Sequence, residues 1–326
     1  MCAGKRASCC NQQNASGAEE FSQIVCKTSK CGATIRMSRA QAKKLILDPG
    51  RAAKNYWLDL FHYRELFLIL AWRDVIVRYK QTAAGAAWAL LQPLMSIVIM
   101  TVVFGILAGL PSPHNTPYAI MVCAAMLPWQ FFSNALTLAS QSVVSNANLI
   151  SKIYFPRMIV PASSIVVSLV DFLVASLILV GLMIWYHFWP TWRILVLPPL
   201  VLLAVVAALG PGLIITALTV RYRDFRIIIP FIVQFGMYVC PVGMSSDFIH
   251  DKLISKLGAE TGGDLFLLYS LNPMVGVIDG FRWAILGNSS TFYWPGFVLS
   301  VILAFTLLCI GINYFRKTER AFADVI

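Results

Sequence analysis

Apolar residues in this chain run in long blocks, not in the short alternations of a soluble core. Residues 85–110, 118–139, 194–220 and 294–315 contain no Asp, Glu, Lys or Arg, and 158–185 contain only Asp171. A helix rises about 1.5 Å per residue, so roughly 20 apolar residues cross the hydrocarbon of a bilayer. These five blocks meet that length. A sixth, 227–244, is shorter and holds Pro230 and Pro241. It is expected to be a bent or partly unwound span, its freed carbonyls satisfied by neighbouring helices or water. The pattern predicts an all-α polytopic membrane protein with six transmembrane helices.

Two further segments are apolar but do not span. Residues 56–80 are helix-like, yet Asp59, Arg64, Glu65, Arg73, Asp74, Arg78 and Lys80 interrupt them. With Trp57, Phe61, Phe67 and Trp72, this stretch reads as an N-terminal amphipathic helix lying in the membrane interface, a reading compatible with packing on a partner. Residues 265–272 and 274–286 flank Pro273. Each is too short to cross, and together they read as a re-entrant helical pair (265–287) between spans five and six. Backbone at that depth requires cover from protein or a wet cavity; two amphipathic helices in a surface loop are the alternative.

Charge orients the array. Of 26 Lys and Arg residues, 22 fall in 1–84, 140–157, 221–226 and 316–326, which are alternate connections. The other connections hold Arg193, Lys252, Lys256 and Arg282 beside Asp247, Asp251, Glu260, Asp264 and Asp279. The positive-inside rule then places both termini in the cytoplasm. A net charge of +11 therefore reports topology and calls for no nucleic-acid partner. With 58% hydrophobic and 13% charged residues, against roughly 25% charged in soluble domains, a water-soluble enzyme is excluded. Residues 1–50 are rich in Ser, Ala, Gln, Asn and Lys and are expected to be a disordered cytoplasmic extension, with Met37 as a second candidate start. The domains expected are thus 1–50, the interfacial helix 56–80, a transmembrane domain 85–315 and a cytoplasmic tail 316–326.

Catalytic chemistry is sparse. No GxxxxGK[ST] loop occurs, so ATP hydrolysis by this chain is not expected. The four histidines are scattered, and the five cysteines before Cys123 include no CxxC pair, so neither a metal site nor a catalytic residue is expected. The glycine-rich Gly210-Pro211-Gly212 lies in an apolar block and reads as a kink. Asp171 is the one acidic or basic residue near the middle of a block. Such a carboxylate is a functional candidate, or hydrogen-bonding glue between helices.

Six local patterns, in order, resemble the permease subunits of type-2 ABC exporters of the O-antigen, capsule and teichoic-acid class. The first is Arg73-Asp74 with Arg78-Tyr79-Lys80-Gln81, running into Trp88 and Leu91-Gln92-Pro93. Leu127-Pro128-Trp129-Gln130-Phe131-Phe132 follows. The most specific is Asn146, Asn148, Lys152 and Tyr154-Phe155-Pro156-Arg157, followed by Pro161. Arg221-Tyr222-Arg223-Asp224 with Pro241, Leu271-Asn272-Pro273 with Phe281-Arg282, and Tyr314-Phe315-Arg316-Lys317 with Glu319, Phe322 and Asp324 complete the set. The resemblance covers about residues 56–326.

It implies a homodimer of permeases with two separate ABC nucleotide-binding subunits. ATP and Mg would be bound by those partners, and this chain would carry no cofactor. The dimer would move an undecaprenyl-pyrophosphate-linked polysaccharide across the bacterial inner membrane; a drug or small-lipid permease is the alternative, and a membrane enzyme acting on polyprenyl-linked sugars a more distant one. The resemblance assigns coupling to the ATPase to Arg73, Asp74, Arg78, Lys80, Asn146, Asn148, Lys152, Tyr154, Pro156 and Arg157, the last two basic groups offering charge to the partner. A sliding glycan needs broad contacts, which aromatic faces supply. Trp88, Trp129, Phe132, Phe235 and Tyr238 are the candidates for its path, although interfacial anchoring would explain the same residues.

Overall fold

The computed structural model describes residues 56–80, 85–112, 116–287, 292–319 and 322, with the side chains of Gly85, Ala86 and Trp88 not among them. The expectations for 1–50 and for Asp324 lie outside the described residues. Every regular element described is helical: α1 (Tyr56–His62), α2 (Arg64–Lys80), α3 (Gly85–Met100, continued by the π-helical segment Thr101–Leu107), α4 (Tyr118–Ser145), α5 (Ala147–Ile150), α6 (Ile159–Trp185), α7 (Leu197–Arg221), α8 (Phe225–Val239), α9 (Ser246–Leu257), α10 (Ala259–Tyr269), α11 (Pro273–Leu286) and α12 (Trp294–Thr318). Among them, five stretches are long and apolar enough to cross a membrane: Ala89–Leu107, Tyr118–Ser145, Ile159–Trp185, Trp192–Arg221 and Trp294–Thr318. The apolar helix α8, which overlaps the sixth block, has 15 residues.

Proline sets several helix starts. Pro117 precedes α4, Pro273 opens α11, and prolines occupy the first turns of α7 and α12. At those positions the missing N–H is one that a helix leaves unpaired anyway. Pro273, which divides the 265–287 segment, is accordingly the first residue of α11, and the Asn272 side chain caps that helix by accepting from Met274 N at 3.0 Å. The stretch 56–80 is one helix in sequence terms but two in the structure, interrupted at Tyr63. The bonds Tyr63 N to Asp59 O and Phe67 N to Tyr63 O bracket that single residue.

The bundle is built around α4, which is buried on all sides from Ala119 to Trp129 and packs on α6, α7 and α11. A helix apolar all round belongs in such a place. Polar bonds add to the packing: Thr216 Oγ1 of α7 donates to Ala139 O of α4 at 2.8 Å. Helix α7 runs unbroken through Gly210-Pro211-Gly212, and the reason for Gly210 is the close approach of α12. A methyl group there would meet Leu308 N at 2.7 Å, and one on Gly311 would collide with the Gly210 carbonyl. Small residues that let two backbones touch are the usual device of helix association in lipid.

Two apolar cores result. The larger joins α3, α4, α6, α7, α8 and α11. The smaller gathers Leu70, Val143, Ile150, Phe155, Phe315 and Phe322 at the end of the bundle where α1, α2, α5 and the tail meet. The basic connections lie at this end, called the basic end below.

Glycine substitutions separate the packed sites from the open ones. Gly210→Val and Gly311→Val are expected to destabilise the chain by about 1–3 kcal/mol through overpacking. Gly181→Ala, with nothing near its Cβ position, should be neutral or stabilise by about 0.5–1 kcal/mol. Thermal aggregation of the purified protein in detergent measures both.

Candidate functional site

At the basic end, the segment after α4 forms an exposed elbow. Asn146 closes α4: its amide donates to Ser142 O at 2.9 Å, and its Oδ1 accepts from Arg73 Nη2 at 2.7 Å. The same Arg73 holds Asp74 Oδ1 at 2.7 Å. Three of the expected coupling residues are thus one contact, tying α2 to the α4–α5 corner.

Beyond α5, Ser151, Lys152, Ile153 and Tyr154 are all exposed, whereas Phe155 and Pro156 turn inward. The elbow borders a groove of about 370 Å³ whose lining includes Ile150, Lys152, Tyr154, Phe155, Arg157 and Phe322. Ile153 and Tyr154 are about half exposed, 51% and 53%, so the elbow offers an apolar and aromatic tip beside one basic group. Among the described residues Lys152 has no ion pair.

Arg157 behaves differently from that expectation. It faces the chain's own tail: Arg157 N donates to Glu319 Oε1 at 2.7 Å and its Nη1 to Glu319 O at 2.6 Å. Tyr56 Oη completes the site by donating to Glu319 Oε2 at 3.0 Å, and the Arg316 guanidinium lies 4.8 Å above the Tyr56 ring. Burial pushes the Glu319 carboxyl above its usual range, while the Arg157 amide, the Tyr56 hydroxyl and two arginine charges oppose that shift. Burial likewise raises the Tyr56 hydroxyl, so it remains a donor. Arg157 therefore fastens elbow to tail, with its backbone N–H on the Glu319 carboxylate and one guanidinium nitrogen on the Glu319 carbonyl. Glu319 was visible in the sequence only as part of the tail pattern; its role depends on a contact across 162 positions.

The aromatic candidates divide. Trp129 is buried, and a methyl on Gly236 of α8 would meet its ring at 2.8 Å; it packs α4 on α8, with Phe132 tilted against it at 5.6 Å. Phe235 and Tyr238 are on the outer face of α8, 68% and 61% exposed. The Trp88 side chain lies outside the described residues. The four described candidates therefore do not share one surface.

Asp171 lies twelve residues into α6, about 18 Å from the basic end along the axis. Arg78 Nη2 reaches its Oδ2 at 2.7 Å, and Tyr79 Oη donates to its Oδ1 at 2.7 Å. Both partners come from the last turn of α2, so α2 does not merely rest at the rim but runs alongside α6. Lys80 is exposed.

At the opposite end, Arg282 of α11 is almost fully buried; in the sequence it stood only in the Phe281-Arg282 pattern and among the outer charges, with no role assigned. It donates to Met244 O at 2.8 Å and Val242 O at 2.9 Å, gripping the α8–α9 connection. Its neighbour Asp279 accepts from Ser246 Oγ. The weak sequence signal was the pair Asp279 and Arg282, two charges in an otherwise apolar helix.

A family model described as ABC-2 type transporter matches residues 65–286. The chain belongs to the ABC-2 type transporter family. The match begins in α2 and ends with α11, so it takes in the elbow, the Asp171 pair and the Arg282 grip. Members of this family are membrane permeases of ABC transporters, and the chain is a multi-pass permease-type protein. It is similar to the O-antigen export system permease protein RfbA of Myxococcus xanthus, 24% identical over 268 residues, which cover 82% of this chain and 98% of the relative. A protein of the same name from Klebsiella pneumoniae is 23% identical over 278 residues, covering 82% and 97%.

In this ABC-2 chain, Arg157→Ala removes two things from Glu319, the guanidinium bond to its carbonyl and the nearby positive charge, while the backbone N–H bond to its carboxylate stays. A loss of about 1–3 kcal/mol is expected, read as a lower thermal midpoint and faster proteolytic release of residues after Glu319. Lys152→Ala should leave both unchanged.

Proposed function

We propose that the chain is the membrane permease of an ATP-driven exporter that moves a polyprenyl-pyrophosphate-linked, O-antigen-like polysaccharide outward. The observation that carries this reading is the near end-to-end match to two O-antigen export permeases, 97–98% of their length. The matched region includes both the elbow and the transmembrane helices.

The physical roles follow. In the bacterial inner membrane, α8 completes a set of six spans, with both termini in the cytoplasm. The basic end is then cytoplasmic, as the charge distribution favours. Trp57, Phe61, Leu68 and Trp72 are exposed at a spacing that places them on one helical stripe; this supports α1 and α2 lying partly in the cytoplasmic interface, where indole and phenyl rings are at home. Helices α10 and α11 dip in from outside as a re-entrant pair, and the buried carbonyls taken by Arg282 support irregular backbone at that depth.

Two such permeases pair, and two separate ATPase subunits, holding ATP and Mg, dock on the elbows. The tip Ile153-Tyr154 enters an apolar socket of the ATPase, and Lys152 meets an acid at its rim. Movement of the elbow reaches α2 through Asn146 and Arg73, and reaches the tail through Arg157 and Glu319. Phe235 and Tyr238, on the open face of α8, are the aromatic candidates for the glycan path.

Deleting the gene should abolish surface glycan and leave its lipid-linked precursor inside the cell, with recovery on re-expression; normal surface glycan in the deletion strain contradicts the reading. Lys152→Glu combined with Tyr154→Ala is expected to reduce co-purification of the ATPase about tenfold with the permease still in the membrane. Unchanged recovery of the ATPase would remove the elbow from the interface.

A further inference from the structure

Between α2, α3, α4 and α6 lies a cavity of about 70 Å³ that none of these roles uses. Its polar lining includes Arg78, Gln92, Gln130, Asn134, Ser168 and Asp171. Arg78 and Gln92 are exposed and mark its mouth, whereas Ser168 and Asp171 are buried and form its floor. Phe131 and Phe172, edge to face at 5.9 Å, supply an apolar wall.

Much of this polar surface has nothing to bind within the chain. Ser168 Oγ is fully buried without a hydrogen-bond partner. Among the described residues, the side-chain amides of Gln92, Gln130 and Asn134 also have no protein partner. Each amide offers two donors and two lone pairs, and an unsatisfied polar group in a water-poor interior costs about 1–3 kcal/mol. Ser168 at the buried floor carries that cost, and the three unpartnered amides converge above it, so the cavity suits a polar occupant.

Charge selects its kind. The single cation, Arg78, is closed onto Asp171, so the site is neutral overall. A phosphate entering there would face the Asp171 carboxylate on the same wall. Neutral hydroxyls suit the site better, since they both donate and accept and so match amides and serine alike. The aromatic wall suits the C–H face of a sugar. The volume admits a few waters or one hydroxyl-bearing edge of a ring, and not a whole sugar.

We propose that this cavity is a polyol subsite that takes the hydroxyl edge of a sugar residue during export and holds water between residues. This rests on the glycan-export reading above. The Arg78–Asp171 pair fixes α2 over the floor, and Gln130 and Asn134, one turn apart on α4, supply the exchangeable hydrogen bonds.

The test is protection of Gln130→Cys, with Asn134→Cys as a second variant, in the permease–ATPase complex. Alkylation by iodoacetamide is followed by peptide mass, which separates these thiols from the native cysteines. Three samples are compared: the native lipid-linked glycan, polyprenyl pyrophosphate without sugar, and neither. Glycan should slow alkylation at least fivefold, with the sugar-free lipid having no effect. Equal protection by the sugar-free lipid reassigns the cavity to the headgroup and overturns the proposal. Absence of protection by either, in a complex that exports glycan, leaves a water pocket and also overturns it. In cells, Gln130→Met with Asn134→Leu should lower export about tenfold while assembly with the ATPase is retained; wild-type export by this variant contradicts the subsite. A wild-type complex that exports no glycan refutes the export reading itself, which distinguishes the two failures.

Discussion

Hydrocarbon offers no hydrogen bonds, so each polar side chain carried into the span bundle must be answered by the same chain or by a ligand. That constraint organises the structure. Arg282 is answered by two backbone carbonyls of the α8–α9 connection, which fixes irregular backbone against the buried helix α11. Asp171 is answered by Arg78 and Tyr79, which draws the charged end of α2 inward along α6. Ser168 and the amides of Gln92, Gln130 and Asn134 are not answered by protein, and that leaves a polar cavity where the bundle is otherwise tightly packed.

The same reasoning links the elbow to the rest of the chain. Its exposed tip is small, but its base is held by Arg73–Asn146 on one side and by Arg157–Glu319–Tyr56 on the other. The proposed coupling route from Tyr154 into α2 and into the tail after α12 rests on these two anchors. Helix α2 in turn ends at Asp171, on the floor of the cavity. A continuous set of contacts joins the proposed ATPase interface to the proposed sugar subsite, and each contact in it is a hydrogen bond, an ion pair or helix backbone.

Much of this was legible in the sequence. Block length gave the five long helices, and alternating basic connections separated the two ends, because both signals depend on composition over many residues. The division of 265–287 at Pro273 was also readable from local chemistry. What was not legible depended on distant partners. Arg157 reads as a free basic group until Glu319 is brought to it, and Trp129 reads as an interfacial aromatic until Gly236 opens a place beneath its ring. Gly210 reads as a kink until Gly311 shows a helix crossing. Helix α9 carried too little hydrophobic pattern to stand out. The Asp171 alternatives, glue or function, turn out to be joined: its pairing holds α2 and α6 together, and that pairing shapes the cavity.

In the function proposed above, this chain is the membrane path for a lipid-linked glycan driven by a separate ATPase. Reconstitution into vesicles, with accessibility of the glycan to an added glycosidase as the readout, tests it most directly. The account predicts an ATP-dependent transfer of glycan between the leaflets that requires both the permease and its ATPase. Transfer by the permease alone at the same rate, or no transfer by the assembled complex with ATP, would contradict it.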